Sequence, residues 1–118
     1  MKEVRLGIIG LGNMGRSHAG VVRSGKISRC RLTAVADESE AALAAYDDIA
    51  RFKSGPELIA SGLVDAVLIA TPHFSHTALG IQALQAGLHV LVEKPISVHK
   101  ADCERLIAAH QSKKLVFA

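Results

Sequence analysis

The sequence predicts a single α/β domain in which helices cover both faces of a doubly wound parallel sheet. Three observations predict it: short aliphatic runs alternate with segments of helical length, each run is apolar almost throughout, and a glycine-rich turn follows the first run. Strands of a parallel sheet are buried on both faces, which is why they read as continuous apolar runs. Residues 1–118, of which 49% are hydrophobic, are enough for one domain with its own core.

The predicted elements alternate along the whole chain. Strands are predicted over residues 5–9, 31–36, 66–70 and 89–92, with a shorter one near Arg51 and Phe52. Helices are predicted over residues 14–24, 39–46, 56–60, 75–86 and 100–112. Two boundaries have local support, because Ser54 and Glu57 have capping-box spacing and Gly87 stands where the helix before it needs a glycine.

Composition excludes several classes of partner and site. The net charge of +3 comes from scattered basic residues, and the 3% of aromatic residues offer few rings for stacking on bases, so no nucleic acid is expected. No apolar run approaches the roughly 20 residues of a membrane span, and the N-terminus lacks a signal peptide. We therefore expect no membrane partner and a cytoplasmic location. Cys30 and Cys103 form no disulfide or zinc pattern, and both are predicted to be reduced.

Ligands of doubly wound sheets bind outside the carboxyl ends of the strands, so the residues after each strand are the candidate site. The turn after the first strand reads GLGNMG. Gly10, Gly12 and Gly15 have the spacing that permits a tight turn, lets a pyrophosphate reach the backbone and lets helix and strand pack closely. Asn13 and Met14 lie at the start of the next predicted helix, where free amides favour anionic phosphates. The alternative is an ordinary glycine turn.

Asp37 closes the second predicted strand. Dinucleotide-binding domains place a carboxylate at this position, on the hydroxyls of the adenosine ribose. Taken alone, Asp37 could equally cap the following helix, but the preceding glycine turn favours ribose binding. A carboxylate there would repel a 2′-phosphate, so the expected cofactor is NAD rather than NADP, unless a nearby Arg or Lys overrides the repulsion.

Thr71, Pro72 and His73 follow the strand predicted over residues 66–70, and His76 comes three residues after His73. Two histidines at this spacing could bind a metal, but no further Cys, His or carboxylate is spaced to complete a zinc site. We therefore predict no metal. The four residues are interpreted as contacts to the cofactor or as packing at the start of a helix.

Glu93, Lys94 and Pro95 follow the last predicted strand without a spacer. One interpretation is a surface ion pair of small energetic value. Against it, the preceding strand is apolar, and Pro95 restricts Lys94 to extended backbone conformations. The ends of four strands therefore converge on one edge of the sheet, and together they predict a dinucleotide site that includes Glu93 and Lys94.

With these residues, the chain closely resembles the N-terminal domain of the Gfo/Idh/MocA family of glucose-fructose oxidoreductases and inositol dehydrogenases. The resemblance runs from Val4 to the end and is most specific in ATPHFSHTALGIQALQAGLHVLVEKPIS. It implies a Rossmann fold and an oxidoreductase that transfers a hydride between NAD and a sugar, cyclitol or related polyol. It also implies that Lys94 is catalytic beside the nicotinamide, that Glu93 orients it, and that the peptide before Pro95 is cis. His76 and His89 match positions with structural or cofactor-adjacent roles.

The chain departs from the family in one respect. Members carry a second domain that supplies most substrate contacts and commonly the oligomer interface, so the parent enzyme is expected to be a homo-oligomer. Because this domain is absent from the sequence, we interpret the chain as a truncated cofactor domain of a larger dehydrogenase. Two alternatives stay open: a stand-alone nucleotide-binding or sensing module without catalysis, and a family member that uses NAD transiently for elimination or glycoside hydrolysis.

Overall fold

The computed structural model describes residues 4–24, 30–71 and 76–92. Within these ranges, strands and helices alternate as predicted. The strands are β1 (Val4–Ile9), β2 (Cys30–Ala36), β3 (Ala50–Phe52), β4 (Ala66–Ile69) and β5 (His89–Val92). The helices are α1 (Asn13–Arg23), α2 (Glu40–Leu43), α3 (Gly55–Ile59) and α4 (His76–Gln85), and a 3₁₀ turn, Ala44–Tyr46, directly follows α2. The helix predicted over residues 100–112 lies outside the described residues.

The five strands form one parallel sheet in the order β3-β2-β1-β4-β5. The chain builds outward from β1 through β2 to β3, and then returns to the other side of β1 to add β4 and β5. The strand order therefore reverses between β1 and β4, which is the switch point where ligands of such sheets bind. The predicted doubly wound parallel fold is confirmed, including the short strand at Arg51 and Phe52.

Alternate residues of each strand pack on opposite faces of the sheet. Ile8 and Leu68 belong to the cluster covered by α1, whereas Ile9 and Ile69 belong to the cluster covered by α3 and α4. All four side chains are at most 2% exposed. Burial on both faces explains why the strands contain few polar residues, and it leaves the strand ends as the places where polar groups can lie.

Two predicted helix boundaries are confirmed in atomic detail. Ser54 caps α3, since its hydroxyl oxygen accepts from the Glu57 amide at 3.3 Å. Gly87 ends α4 with a φ of +81°, and the Leu88 amide donates to the Ala83 carbonyl at 2.9 Å, which is the Schellman arrangement. The helix predicted over residues 39–46 is shorter, because it tightens into the 3₁₀ turn after four residues.

Candidate nucleotide-binding site

Three strand ends are hydrogen-bonded together at the carboxyl edge of the sheet. The Gly10 amide, just after β1, donates to the Ala36 carbonyl at the end of β2 at 2.8 Å. The Ala70 amide, just after β4, donates to the Ile9 carbonyl at 2.8 Å. The structure thus brings the turn at Gly10 beside the ends of both neighbouring strands, which is where the sequence predicted the site.

Gly10 and Gly15 are required by the fold itself. Gly10 has a φ of +98°, and a Cβ there would lie 2.9 Å from the carbonyl carbon of Ala70. A Cβ on Gly15 would overlap the carbonyl oxygen of Gly10. Since these clashes are with backbone, which cannot move aside as a flexible side chain can, both glycines are needed for helix α1 to approach the sheet this closely.

Gly12 differs from both. It has an ordinary φ of −69°, and no atom of the described residues lies within 4 Å of the position that its Cβ would take. It is exposed, and it precedes the first residue of the eleven-residue helix α1, whose first amides have no partner within the helix. The described residues therefore leave open space here beside backbone donors, which suits an anionic group such as a pyrophosphate.

Asn13 and Met14 are the first two residues of α1, which begins one residue before the predicted start at Met14. Thr71 follows β4 and is half-buried, and its backbone nitrogen would lie 3.0 Å from a Cβ on Gly10. The structure therefore places Thr71 against the glycine turn. His76 is the first residue of α4.

Asp37 ties the glycine turn to the end of β2. Its Oδ2 accepts from the Leu11 amide at 2.7 Å, and its Oδ1 accepts from the Ser39 amide at 2.8 Å. Its own amide donates to the Phe52 carbonyl at 3.1 Å. A carboxylate has about four acceptor positions, so both oxygens keep capacity for a further donor such as a ribose hydroxyl. The helix cap itself is Ser39, whose hydroxyl oxygen accepts from the Ala42 amide at 3.2 Å.

An exposed ion pair borders the Asp37 turn. The Nζ of Lys53, which follows β3, lies 2.6 Å from the Oε1 of Glu40, the first residue of α2. The hydrogen bond from Lys53, with its charge, lowers the pKa of Glu40, and the same bond raises the pKa of Lys53.

The sequence pattern did not predict a role for Leu11, Glu40 or Lys53. For Leu11 the signal was its place inside the glycine motif, whereas Lys53 is thirteen residues from its partner in the chain.

Several predicted site residues lie outside the described residues: Pro72, His73, Glu93, Lys94 and the cis peptide before Pro95. Among the described residues, no group of three or more His, Cys, Asp and Glu is arranged to hold a metal ion. The helices within the same ranges include none with both the length and the apolar character of a membrane span.

His89 lies away from this site. It is the first residue of β5, 4% exposed, and pairs with Ala66 at the amino edge of the sheet. Its amide donates to the carbonyl of Asp65 at 3.1 Å. Asp65 in turn accepts from Arg5, with its Oδ1 3.1 Å from Nη2 and its Oδ2 2.9 Å from the backbone nitrogen. This bonding raises the pKa of Arg5. Of the two roles considered for His89, its position is consistent with the structural one.

Known proteins are similar to this chain in both sequence and fold. The oxidoreductase family with an NAD-binding Rossmann fold matches residues 4–118. Inositol 2-dehydrogenase 1 of Saccharopolyspora erythraea is 35% identical over 115 residues, which cover 93% of this chain and 34% of that protein. UDP-N-acetylglucosamine 3-dehydrogenase of Acidithiobacillus ferrooxidans is 39% identical over 121 residues, which cover 100% of this chain and 37% of that protein.

A solved structure agrees with these sequence matches. Scyllo-inositol dehydrogenase from Lactobacillus casei, crystallised with NAD(H) and scyllo-inositol, superposes with a TM-score of 0.77 at 30% identity. The match covers 99% of this chain and 36% of that one, so the chain spans about a third of the length of these relatives. A match of the family along nearly the whole chain, together with this superposition, shows that the chain belongs to the oxidoreductase family as an NAD-binding Rossmann domain.

Proposed function

We propose that the carboxyl edge of the sheet holds NAD for a dehydrogenase that acts on a secondary hydroxyl of a sugar, cyclitol or related polyol. The observation that carries the proposal is the contrast among the three glycines. Gly10 and Gly15 are needed to build the turn, whereas no atom of the described residues crowds the Cβ position of Gly12 at the start of α1. A glycine that no described neighbour requires, at a helix start beside Asp37, is what a bound pyrophosphate and ribose would require.

Each group of residues has a proposed task. Gly10 and Gly15 build the turn, the backbone of Gly12, Asn13 and Met14 holds the pyrophosphate, and Asp37 accepts from the hydroxyls of the adenosine ribose. NAD, when bound, accepts or returns the hydride. Four further cofactor contacts are assigned after β4: Thr71, Pro72, His73 and His76.

Lys94 is the proposed catalytic residue. β5 ends at Val92, on the same edge as the glycine turn, so Glu93 and Lys94 follow that edge in the chain. The Lys94 ammonium would polarise the substrate oxygen or pass its proton, and Glu93 would orient the ammonium.

The substrate class rests on the relatives. Two of them are named for inositol and for UDP-N-acetylglucosamine, both of which present secondary hydroxyls on a ring. Since the chain spans about a third of their length, residues 1–118 are proposed to be the dinucleotide-binding domain, with substrate contacts supplied by a further domain. We also propose that the full-length enzyme is a cytoplasmic homo-oligomer.

A fluorescence titration with NADH tests the cofactor site. Gly12→Val places a side chain in the path of the pyrophosphate, and we expect the affinity to fall by at least about thirtyfold while the circular dichroism spectrum is unchanged. Gly20→Val is the matched control. Gly20 lies within α1, is exposed like Gly12, and likewise has no described atom within 4 Å of the position that its Cβ would take. Equal NADH affinity in a folded Gly12→Val chain would show that the glycine turn is only a turn.

Product analysis tests the reaction. A full-length enzyme that includes this chain should convert a polyol or sugar to a ketone and form one NADH for each ketone. Product without net NADH would favour the transient use of NAD in elimination or glycoside hydrolysis. Cofactor binding without any product would favour the sensing module.

A further inference from the structure

The Glu40–Lys53 ion pair lies next to the residue that we assign to the ribose. Lys53 directly follows Phe52, and the carbonyl of Phe52 accepts from the Asp37 amide at 3.1 Å. Glu40 comes three residues after Asp37, and Ser39 between them donates its amide to Asp37. Both members of the pair are therefore connected through short backbone paths to the Asp37 carboxylate.

Negative charges outnumber positive ones around the Asp37 turn. Residues 37–40 read DESE and carry three carboxylates. The ammonium of Lys53 is held at 2.6 Å by one of them, Glu40, and the charge of Glu57 in α3 also raises its pKa. A cation that is already paired with a carboxylate has less attraction left for an anionic ligand.

We infer that Glu40 is a specificity-determining residue: by holding Lys53, it withholds from a 2′-phosphate the cation beside the Asp37 turn, and so strengthens the preference for NAD over NADP. The inference rests on the proposed function, since it requires the adenosine ribose to lie at Asp37. It adds a second source of discrimination to the repulsion by Asp37 itself.

Glu40 acts against a 2′-phosphate in two ways. Its own charge repels the phosphate, which carries nearly two negative charges, and its hydrogen bond keeps the Lys53 side chain turned toward α2. NAD carries a neutral hydroxyl at the same place, so neither effect changes its binding as much. Because Lys53 and Glu40 are 65% and 76% exposed, solvent and salt screen both effects, and a moderate shift is expected.

The test is a set of NADH and NADPH titrations on the full 118-residue chain at low ionic strength. Glu40→Gln removes the carboxylate and releases Lys53, so we expect the affinity for NADPH relative to NADH to rise by about three- to tenfold. Most of the gain should disappear in Glu40→Gln/Lys53→Gln, because the released cation is then absent and only the loss of the repulsion by Glu40 itself remains. Lys53→Gln should therefore change the ratio more in the Glu40→Gln background than in the wild-type chain.

Asp48→Asn is the matched control. It removes one carboxylate from another exposed ion pair, Arg23–Asp48 at 2.7 Å, and changes the net charge equally. An equal rise in the NADPH to NADH ratio in Asp48→Asn would overturn the inference in favour of a general charge effect. A rise in Glu40→Gln that persists undiminished in the double variant would also overturn it, because Lys53 would then not be the cation.

Failure of this inference is distinguishable from failure of the proposed function. If the wild-type chain does not bind NADH, the proposed cofactor site is wrong and the inference is wrong with it. If the wild-type chain binds NADH and Asp37→Ala weakens the preference for NADH, but Glu40→Gln does not, the proposed function stands and only the role of Glu40 is overturned.

Discussion

At the carboxyl edge of the sheet, backbone hydrogen bonds and the Asp37 carboxylate join the strand ends, whereas at the amino edge the side chains of Arg5 and Asp65 add an ion pair to the backbone bonds. The first arrangement leaves Gly12 exposed and open. The second closes the edge, because Asp65 accepts from both the backbone and the guanidinium of Arg5. The six residues of β1 separate the edges by roughly 16 Å. Binding and stability are thus expected to respond to substitutions at different edges.

The largest effect is expected from Lys94→Ala in a full-length enzyme, because Lys94 is the proposed catalytic residue. If Lys94 acts mainly on the transition state, turnover should fall by about a hundredfold or more while the NADH affinity changes by less than about tenfold. Steady-state kinetics and a binding titration measure the two quantities. Near-normal turnover would mean that the residues after β5 shape the turn without performing chemistry.

At the amino edge, Asp65→Ala should lower stability without affecting the cofactor. It removes the acceptor of the partly buried Arg5 amide and an ion pair, so we expect a loss of about 1–3 kcal/mol in the free energy of unfolding. Denaturant titration measures it. The exposed carboxylate Asp48 is the control, and Asp48→Ala should cost at most about 1 kcal/mol.

A titration of NADH into Asp65→Ala tests whether the two edges of the sheet act independently. The site is far from Asp65, so the affinity of the folded chain should stay within about twofold of wild type. A larger loss would show that the two edges are coupled and that the amino edge helps to shape the cofactor site.

Asp37→Ala combines both kinds of effect at one residue. The loss of ribose acceptors should reduce the preference for NADH over NADPH by about tenfold, the size of one charge-assisted hydrogen bond. The Leu11 amide also loses its acceptor, so the chain without nucleotide should unfold at lower denaturant concentration. Titration with both nucleotides and denaturant unfolding separate the two roles. An unchanged preference would show that Asp37 only supports the turn.

The smallest effect is expected from the pH dependence of the Glu40–Lys53 pair. The pKa of Glu40 is lowered in the folded chain, so its contribution to stability is present above its ordinary pKa of 4.5 and is lost as the pH falls through the lower folded value. Solvent screens this exposed pair, and the contribution is small. Thermal unfolding of wild type and Glu40→Gln should differ slightly at pH 7 and coincide in acid. A difference that grows in acid would contradict this sign.

Local structural features could be predicted from the sequence. The caps at Ser54 and Gly87 follow from residue types at fixed spacing, and the apolar runs predicted the strands because burial on both faces selects such residues. The same local pattern located Gly12 and Asp37 at strand ends. The sequence pattern did not predict the early end of α2, where the chain tightens into a 3₁₀ turn.

Contacts between distant residues were decided only by the tertiary structure. The spacing of Gly10, Gly12 and Gly15 predicted a different role for each, but the contacts that make two of them necessary were decided by the tertiary structure: the Ala70 backbone lies against Gly10, and the Gly10 carbonyl lies against Gly15. The sequence determined that a carboxylate follows β2, whereas its bond to Leu11, 26 residues away, depends on β1 and β2 lying side by side. Arg5 and Asp65, 60 residues apart, meet for the same reason, since periodicity reports local structure and pairing of strands brings remote residues together.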